Sequence, residues 1–268
     1  MSVFDLSQHQ PGELPINPGA KHYANINGLR MCYYDQGEGV PVLFIHGGGA
    51  CIETWHYQLQ DLQSSFRLIA ADCRGHGRTN DTDEAFSHEL HASDMIKLLD
   101  QLNIEKAHLV GWSDGSFIAL QMALDYQERI KSMVLLGAAY SIDNYSSEAM
   151  DAIKNMSASD YYPFLIELYK TLSPTPDKWD DFFEKCRAMW LVQPNHLLTT
   201  LANIHLSTLI IMAGQDEWAG SKQAQEIQST LANCELINFP DADHSIHMTN
   251  PEVINKCIRE FLEKEGGF

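Results

Sequence analysis

Hydrophobic positions along the chain fall into two alternating patterns. Val40-Pro-Val-Leu-Phe-Ile45, Phe66-Arg-Leu-Ile-Ala-Ala-Asp72, Ala107-His-Leu-Val-Gly111, Ile130-Lys-Ser-Met-Val-Leu-Leu-Gly137 and Thr208-Leu-Ile-Ile-Met-Ala213 are short runs, apolar almost throughout. That is the signature of strands buried on both faces. Leu29 to Asp35 mixes apolar and polar residues like an early strand, and Glu235 to Phe239 reads as a late one. Between these runs, His88 to Leu102, Phe117 to Tyr126, Lys222 to Leu231 and the final stretch through Phe261 carry apolar residues at helical spacing. Strand and helix in alternation predict an α/β fold with a mostly parallel sheet flanked by helices.

Two segments break the alternation. Residues 1–20, with Pro11, Gly12, Pro15, Pro18 and Gly19, predict an irregular N-terminal arm. Residues 141–204 read as helices rich in aromatic residues and methionine, among them Tyr161, Trp179, Met189 and Trp190, and predict a helical cap inserted into the sheet domain. The expected core is therefore 21–140 together with 205–268.

The formal charge of −18, with no offsetting Lys/Arg cluster, argues against nucleic acid and against anionic membranes as partners. No run is long and apolar enough for a membrane span, and the opening residues lack a basic start followed by an apolar stretch. Six cysteines without a C-x-x-C pair fit a reducing compartment, so the expected location is cytoplasmic.

The sharpest chemical signal is Gly111-Trp-Ser-Asp-Gly115, a G-x-S-x-G lying between an apolar strand and an amphipathic helix. In that context the serine sits on a tight strand-to-helix turn with its hydroxyl raised above the carboxyl edge of the sheet, which makes Ser113 the candidate nucleophile. A serine hydroxyl needs a base, and the base needs a carboxylate on its other ring nitrogen to fix tautomer and orientation. His244, in the loop after the last strand, is the candidate base, while His247 has a packing or capping role. Asp216, in the turn after the strand ending at Ala213, is preferred to Asp143, Asp241 and Asp243 as the orienting acid. The oxyanion donors are expected at the backbone amides of Asp114 and of Gly48, in His46-Gly-Gly-Gly49.

H-G-G-G after one strand, D-C-R-G-H-G-R after the next, then G-W-S-D-G, G-Q-D and D-H-S-I-H resemble the α/β-hydrolase superfamily over most of the chain outside the arm and cap. The resemblance implies an eight-stranded sheet and a triad of the kind just assigned, with Arg74 and His76 in a structural loop. Within that superfamily, G-W-S-D-G resembles the valacyclovir-hydrolase-like esterases, which implies that the Asp114 side chain recognises an α-amino group; the alternative is an orienting hydrogen bond from Asp114 to neighbouring backbone. The H-G-G-G loop departs from that group.

Substrate contacts are expected from Asp114, Gly47, Trp112, Tyr161 and Trp190. Histidines at i, i+3 spacing, His88 with His91 and His244 with His247, lack the residues that complete a zinc site, so neither metal nor organic cofactor is expected. The function expected is hydrolysis of a small or medium carboxylic ester through an acyl-enzyme on Ser113, with amino-acid esters as a favoured subset. The alternatives are a carbon–carbon bond hydrolase, an acyltransferase, or a ligand receptor on the same scaffold. The partner is a small-molecule ester, with homodimer formation left open.

Overall fold

Val42 and Phe44 pack into one apolar layer and Leu43 and Ile45 into the other. This is why the central strand carries no polar residue: both of its faces are covered. The computed structural model describes residues 21–266, and the arm expected over 1–20 lies outside the described residues. In chain order the elements are β1 (Lys21–Ile26), β2 (Leu29–Gln36), β3 (Pro41–Ile45), α1 (His56–Leu62), β4 (Arg67–Ala71), α2 (His88–Gln101), β5 (Ala107–Trp112), α3 (Asp114–Asp125) and β6 (Ile130–Leu136). There follow α4 (Ser147–Asn155), α5 (Pro163–Leu172), α6 (Trp179–Trp190), α7 (Leu198–Leu201), β7 (Ser207–Ala213), α8 (Ser221–Thr230), β8 (Cys234–Phe239), α9 (Ile246–Thr249) and α10 (Pro251–Gly266).

The strands form one eight-stranded sheet in the order β1-β2-β4-β3-β5-β6-β7-β8. β1 and β2 pair antiparallel, as do β2 and β4; every later pairing is parallel. Side chains of α1 and α10 complete the apolar layer on one face, and those of α2, α3 and α8 the layer on the other. Because β3, β5, β7 and β8 are parallel, the loops that follow them open on one edge of the sheet, where doubly covered α/β sheets place their ligands.

Three elements differ from the sequence expectation. β1 is an edge strand whose residues are mostly accessible, so it lacks the apolar run that marks the others. It is joined to β2 by Asn27-Gly28, both at positive φ, the two-residue turn whose twist matches a hairpin. α3 starts at Asp114 rather than Phe117, because the helix leaves the elbow directly and Asp114-Gly-Ser116 has the composition of a loop. α1 was not anticipated.

The stretch between β6 and β7 contributes α4 to α7 and leaves and re-enters the sheet domain at one point. Ser141 and Asn195 form an isolated antiparallel bridge there, with Ile142 N–H donating to the Pro194 carbonyl at 2.8 Å. All six cysteines are free, and no helix among the described residues is long and apolar enough to cross a membrane.

The loop after β4 is held by a buried charge. Arg74 is fully buried and donates from Nε and Nη2 to the two oxygens of Asp94, both at 3.0 Å, and from Nη1 to Thr82 and Glu84. Removing one partner strands a buried charge, so Asp94→Ala is expected to lower stability by about 3–5 kcal/mol, measured by urea denaturation.

Candidate active site

Ser113 occupies φ 54°, ψ −123°, between β5 and α3. A non-glycine residue in this region is strained and persists only where its surroundings over-determine it. Here they do: Ser113 N–H donates to the Leu136 carbonyl at 2.9 Å, and the Ser116 hydroxyl hydrogen-bonds to the carbonyls of Gly111 and Leu136. A Cβ on Gly115 would collide with the Ile45 carbonyl, so only glycine lets α3 lie this close to β3. Asp114 is the first residue of α3, and a helix leaves the amides of its first turn without internal acceptors. The Asp114 amide is therefore available beside the serine.

His244 lines the same cavity as Ser113. Its backbone carbonyl accepts a 2.8 Å hydrogen bond from Trp112 Nε1, which ties the loop after β8 to the elbow residue itself. Its Nδ1 lies 2.8 Å from Asp216 Oδ2, while Asp216 Oδ1 accepts from the amides of Trp218 and Ala219. Asp216 thus fixes the proton on Nδ1 and leaves Nε2 as the basic nitrogen. Burial on its own would lower the His244 pKa, but the Asp216 carboxylate more than offsets it and raises the value to about 9. Burial would likewise raise Asp216, and the histidine holds it below the ordinary carboxylate value. Asp143 and Asp241 are exposed, and Asp243 accepts from the Ser245 amide. His247 is fully buried, with ring centroids 4.6 Å from Trp55 and 4.5 Å from Trp112.

The loop after β3 completes the edge. His46 donates from Nδ1 to the Gly47 carbonyl and accepts from the Cys73 amide at Nε2; burial lowers its pKa to about 4, so the ring is neutral and structural. Gly48 lines the cavity, where a Cβ would come 2.5 Å from both Asp114 Oδ2 and the Trp190 ring. Its carbonyl accepts from the Tyr161 hydroxyl at 2.8 Å.

The cavity beside Ser113 and His244 is walled mainly by aromatic and apolar side chains with a few polar groups among them. Of the residues expected to contact substrate, Asp114, Trp112, Tyr161 and Trp190 line it; Gly47 does not, being turned against the Trp112 ring and Ser113. The Asp114 side chain is buried and accepts from Trp190 Nε1 at 2.7 Å, not from neighbouring backbone. Its other oxygen faces His88 Nε2 at 3.7 Å, beyond hydrogen-bond distance.

Phe117, Tyr145, Ile153, Met156, Tyr162, Gln193 and Trp218 also line the cavity and were not anticipated. Only Phe117 and Ile153 stand within helices; the other five lie in the connections between elements, where no local pattern reveals which side chain faces a ligand. Gly137, at φ 62° directly below the His244 ring, was missed as well, although its place at the end of a predicted strand was a usable signal.

Among the described residues one group has the spacing to ligate a metal: Cys51, Glu53 and Asp72. Its charge is already balanced, since Glu53 pairs with Arg78 and Lys21 and Asp72 accepts from the amides of Ile52 and Arg78. These residues fit a structural cluster better than an ion site.

A family model described as alpha/beta hydrolase fold matches residues 40–165. Serine hydrolase BPHL of Mus musculus is 27% identical over 248 residues, covering 89% of this chain and 84% of its own. The 2-hydroxymuconate semialdehyde hydrolase of Pseudomonas sp. (strain CF600) is 26% identical over 258 residues, covering 88% and 91%. Among solved structures, a meta-cleavage product hydrolase from Pseudomonas fluorescens IP01 superposes with a TM-score of 0.76 at 23% identity, covering 91% of this chain and 97% of its own. With the sheet order and the serine elbow, these likenesses identify the chain as an α/β-hydrolase-fold protein.

Proposed function

We propose that the protein is a cofactor-independent serine hydrolase of small or medium carboxylic esters. The observation that carries this reading is the shared cavity: a strained serine and a histidine both line it, and Nδ1 of that histidine is held 2.8 Å from a buried carboxylate. Ser113 attacks the ester carbonyl while His244 takes its proton, and the oxyanion is stabilised by the amides of Gly48 and Asp114. His244 returns the proton to the leaving alcohol and then activates the water that hydrolyses the acyl-enzyme. The segment 141–204 acts as a cap whose aromatic side chains hold the apolar parts of the substrate.

Two of the similar proteins are named 2-hydroxymuconate semialdehyde hydrolase and meta-cleavage product hydrolase, and the same machinery supports carbon–carbon hydrolysis or acyl transfer. The cavity wall favours the ester. Among the described residues it carries the Asp114 carboxylate and no Lys or Arg, so a substrate bearing a carboxylate would meet repulsion without a compensating cation. The same carboxylate favours esters with an ammonium group. Short-acyl p-nitrophenyl esters are expected to turn over with equimolar release of p-nitrophenol and free acid. Transfer of the acyl group to an added alcohol in preference to water, or tight ligand binding without turnover, would overturn the reading. Asp114→Asn is expected to reduce kcat/KM about tenfold or more for an amino-acid ester relative to its des-amino analogue.

A further inference from the structure

The polar groups of the cavity wall are almost all spoken for. Six aromatic side chains on it carry an N–H or O–H: Trp112, Tyr145, Tyr161, Tyr162, Trp190 and Trp218. Trp112 donates to the His244 carbonyl, Tyr161 to the Gly48 carbonyl, Tyr162 to Glu217, Trp190 to Asp114 and Trp218 to the Tyr162 hydroxyl. Tyr145 differs: it lines the cavity, yet its hydroxyl makes no hydrogen bond to any described residue.

The placement of Tyr145 is also particular. Its ring packs against Phe117, Ala139 and Ala219. Phe117 lies on α3 three residues after Asp114, and Ala219 is the residue whose amide holds Asp216. Burial raises the phenol pKa, the Asp114 and Asp216 carboxylates raise it further, and the group stays un-ionised. The packing against Phe117 and Ala219 places Tyr145 on the side of the cavity next to α3 and the Asp216 turn.

We propose that Tyr145 is a substrate-contacting specificity residue: its phenolic oxygen is the second acceptor, beside Asp114 Oδ1, for the ammonium group of an amino-acid ester. This rests on the amine reading of Asp114 and deepens it. An ammonium has three N–H donors and is poorly satisfied by one carboxylate oxygen. With the other aromatic N–H and O–H groups of the wall turned into the protein, the Tyr145 oxygen and Asp114 Oδ1 are left as side-chain acceptors, which suits a cation. The phenol proton remains free to donate to a substrate oxygen.

The test compares kcat/KM for L-phenylalanine methyl ester with that for methyl 3-phenylpropionate, its des-amino analogue, in wild type, Tyr145→Phe and Asp114→Asn. Phenylalanine keeps the ring packed on Phe117, Ala139 and Ala219, so the fold is preserved. The ratio of the two values is expected to fall about tenfold in Tyr145→Phe, the loss of one hydrogen bond to a charged group. Inhibition by 2-phenylethylammonium, relative to 2-phenylethanol, should weaken in parallel. A ratio that falls in Asp114→Asn and is unchanged in Tyr145→Phe overturns the role of Tyr145 and leaves amine recognition standing. A ratio unchanged in Asp114→Asn overturns amine recognition itself, and the Tyr145 proposal with it.

Discussion

Ser113→Ala is expected to lower kcat on short-acyl p-nitrophenyl esters by about 10⁴-fold or more, to a residue of activity that owes nothing to covalent catalysis. The alanine side chain fits where the serine stood, and the elbow is held by the Leu136 carbonyl and the Ser116 hydroxyl, neither of which involves Ser113 Oγ. The fold should therefore survive, and the loss should fall on kcat. His244→Ala should cost about as much, and the double variant little more than either, because nucleophile and base act as one unit. Additive losses would show that the two residues work independently.

Asp216→Asn is the second large effect. An amide at this position can present its own N–H to His244 Nδ1 and so reverse the tautomer, placing the proton on the nitrogen that should act as base. A drop in kcat of about 10⁴-fold is the scale for such a change. The pH profile carries independent information. In the wild type the carboxylate raises the His244 pKa above its ordinary 6.5, so the base is protonated and idle until the pH exceeds the raised value. Activity should rise with pH along an acid limb displaced above 6.5. In Asp216→Asn the raising charge is gone while burial still disfavours the imidazolium, so the limb should move to lower pH. A limb that stays in place in kcat/KM would mean that Asp216 does not face the catalytic histidine.

The fold and the candidate site were legible in the sequence for different reasons. β3, β5, β6 and β7 announce themselves because strands covered on both faces have no polar side to display, and Ser113 because its turn admits few residues besides glycine around it. β1 was hidden, being an edge strand without apolar character, even though the Asn27-Gly28 turn that attaches it was in plain view. The cavity wall was harder to read. Tyr161 and Trp190 belong to the segment between β6 and β7 and touch the Gly48 carbonyl and the Asp114 carboxylate from far along the chain. Tyr145, Tyr162 and Trp218 sit in equally aromatic company, and nothing local separates a ring that packs from a ring that faces a ligand. Only the long-range placement of the segment over the sheet edge makes that distinction. Gly47 shows the converse: it shares the composition of Gly48 and lies one residue away, yet it is turned to the interior against Trp112.

The central claim, that Ser113 is a nucleophile activated by His244, is tested most directly by intact-protein mass spectrometry after treatment with a fluorophosphonate, followed by peptide mapping. The predicted result is one adduct per chain, located on Ser113, forming more slowly in His244→Ala and absent in Ser113→Ala. An unmodified protein, or an adduct on another residue that persists in Ser113→Ala, would contradict it.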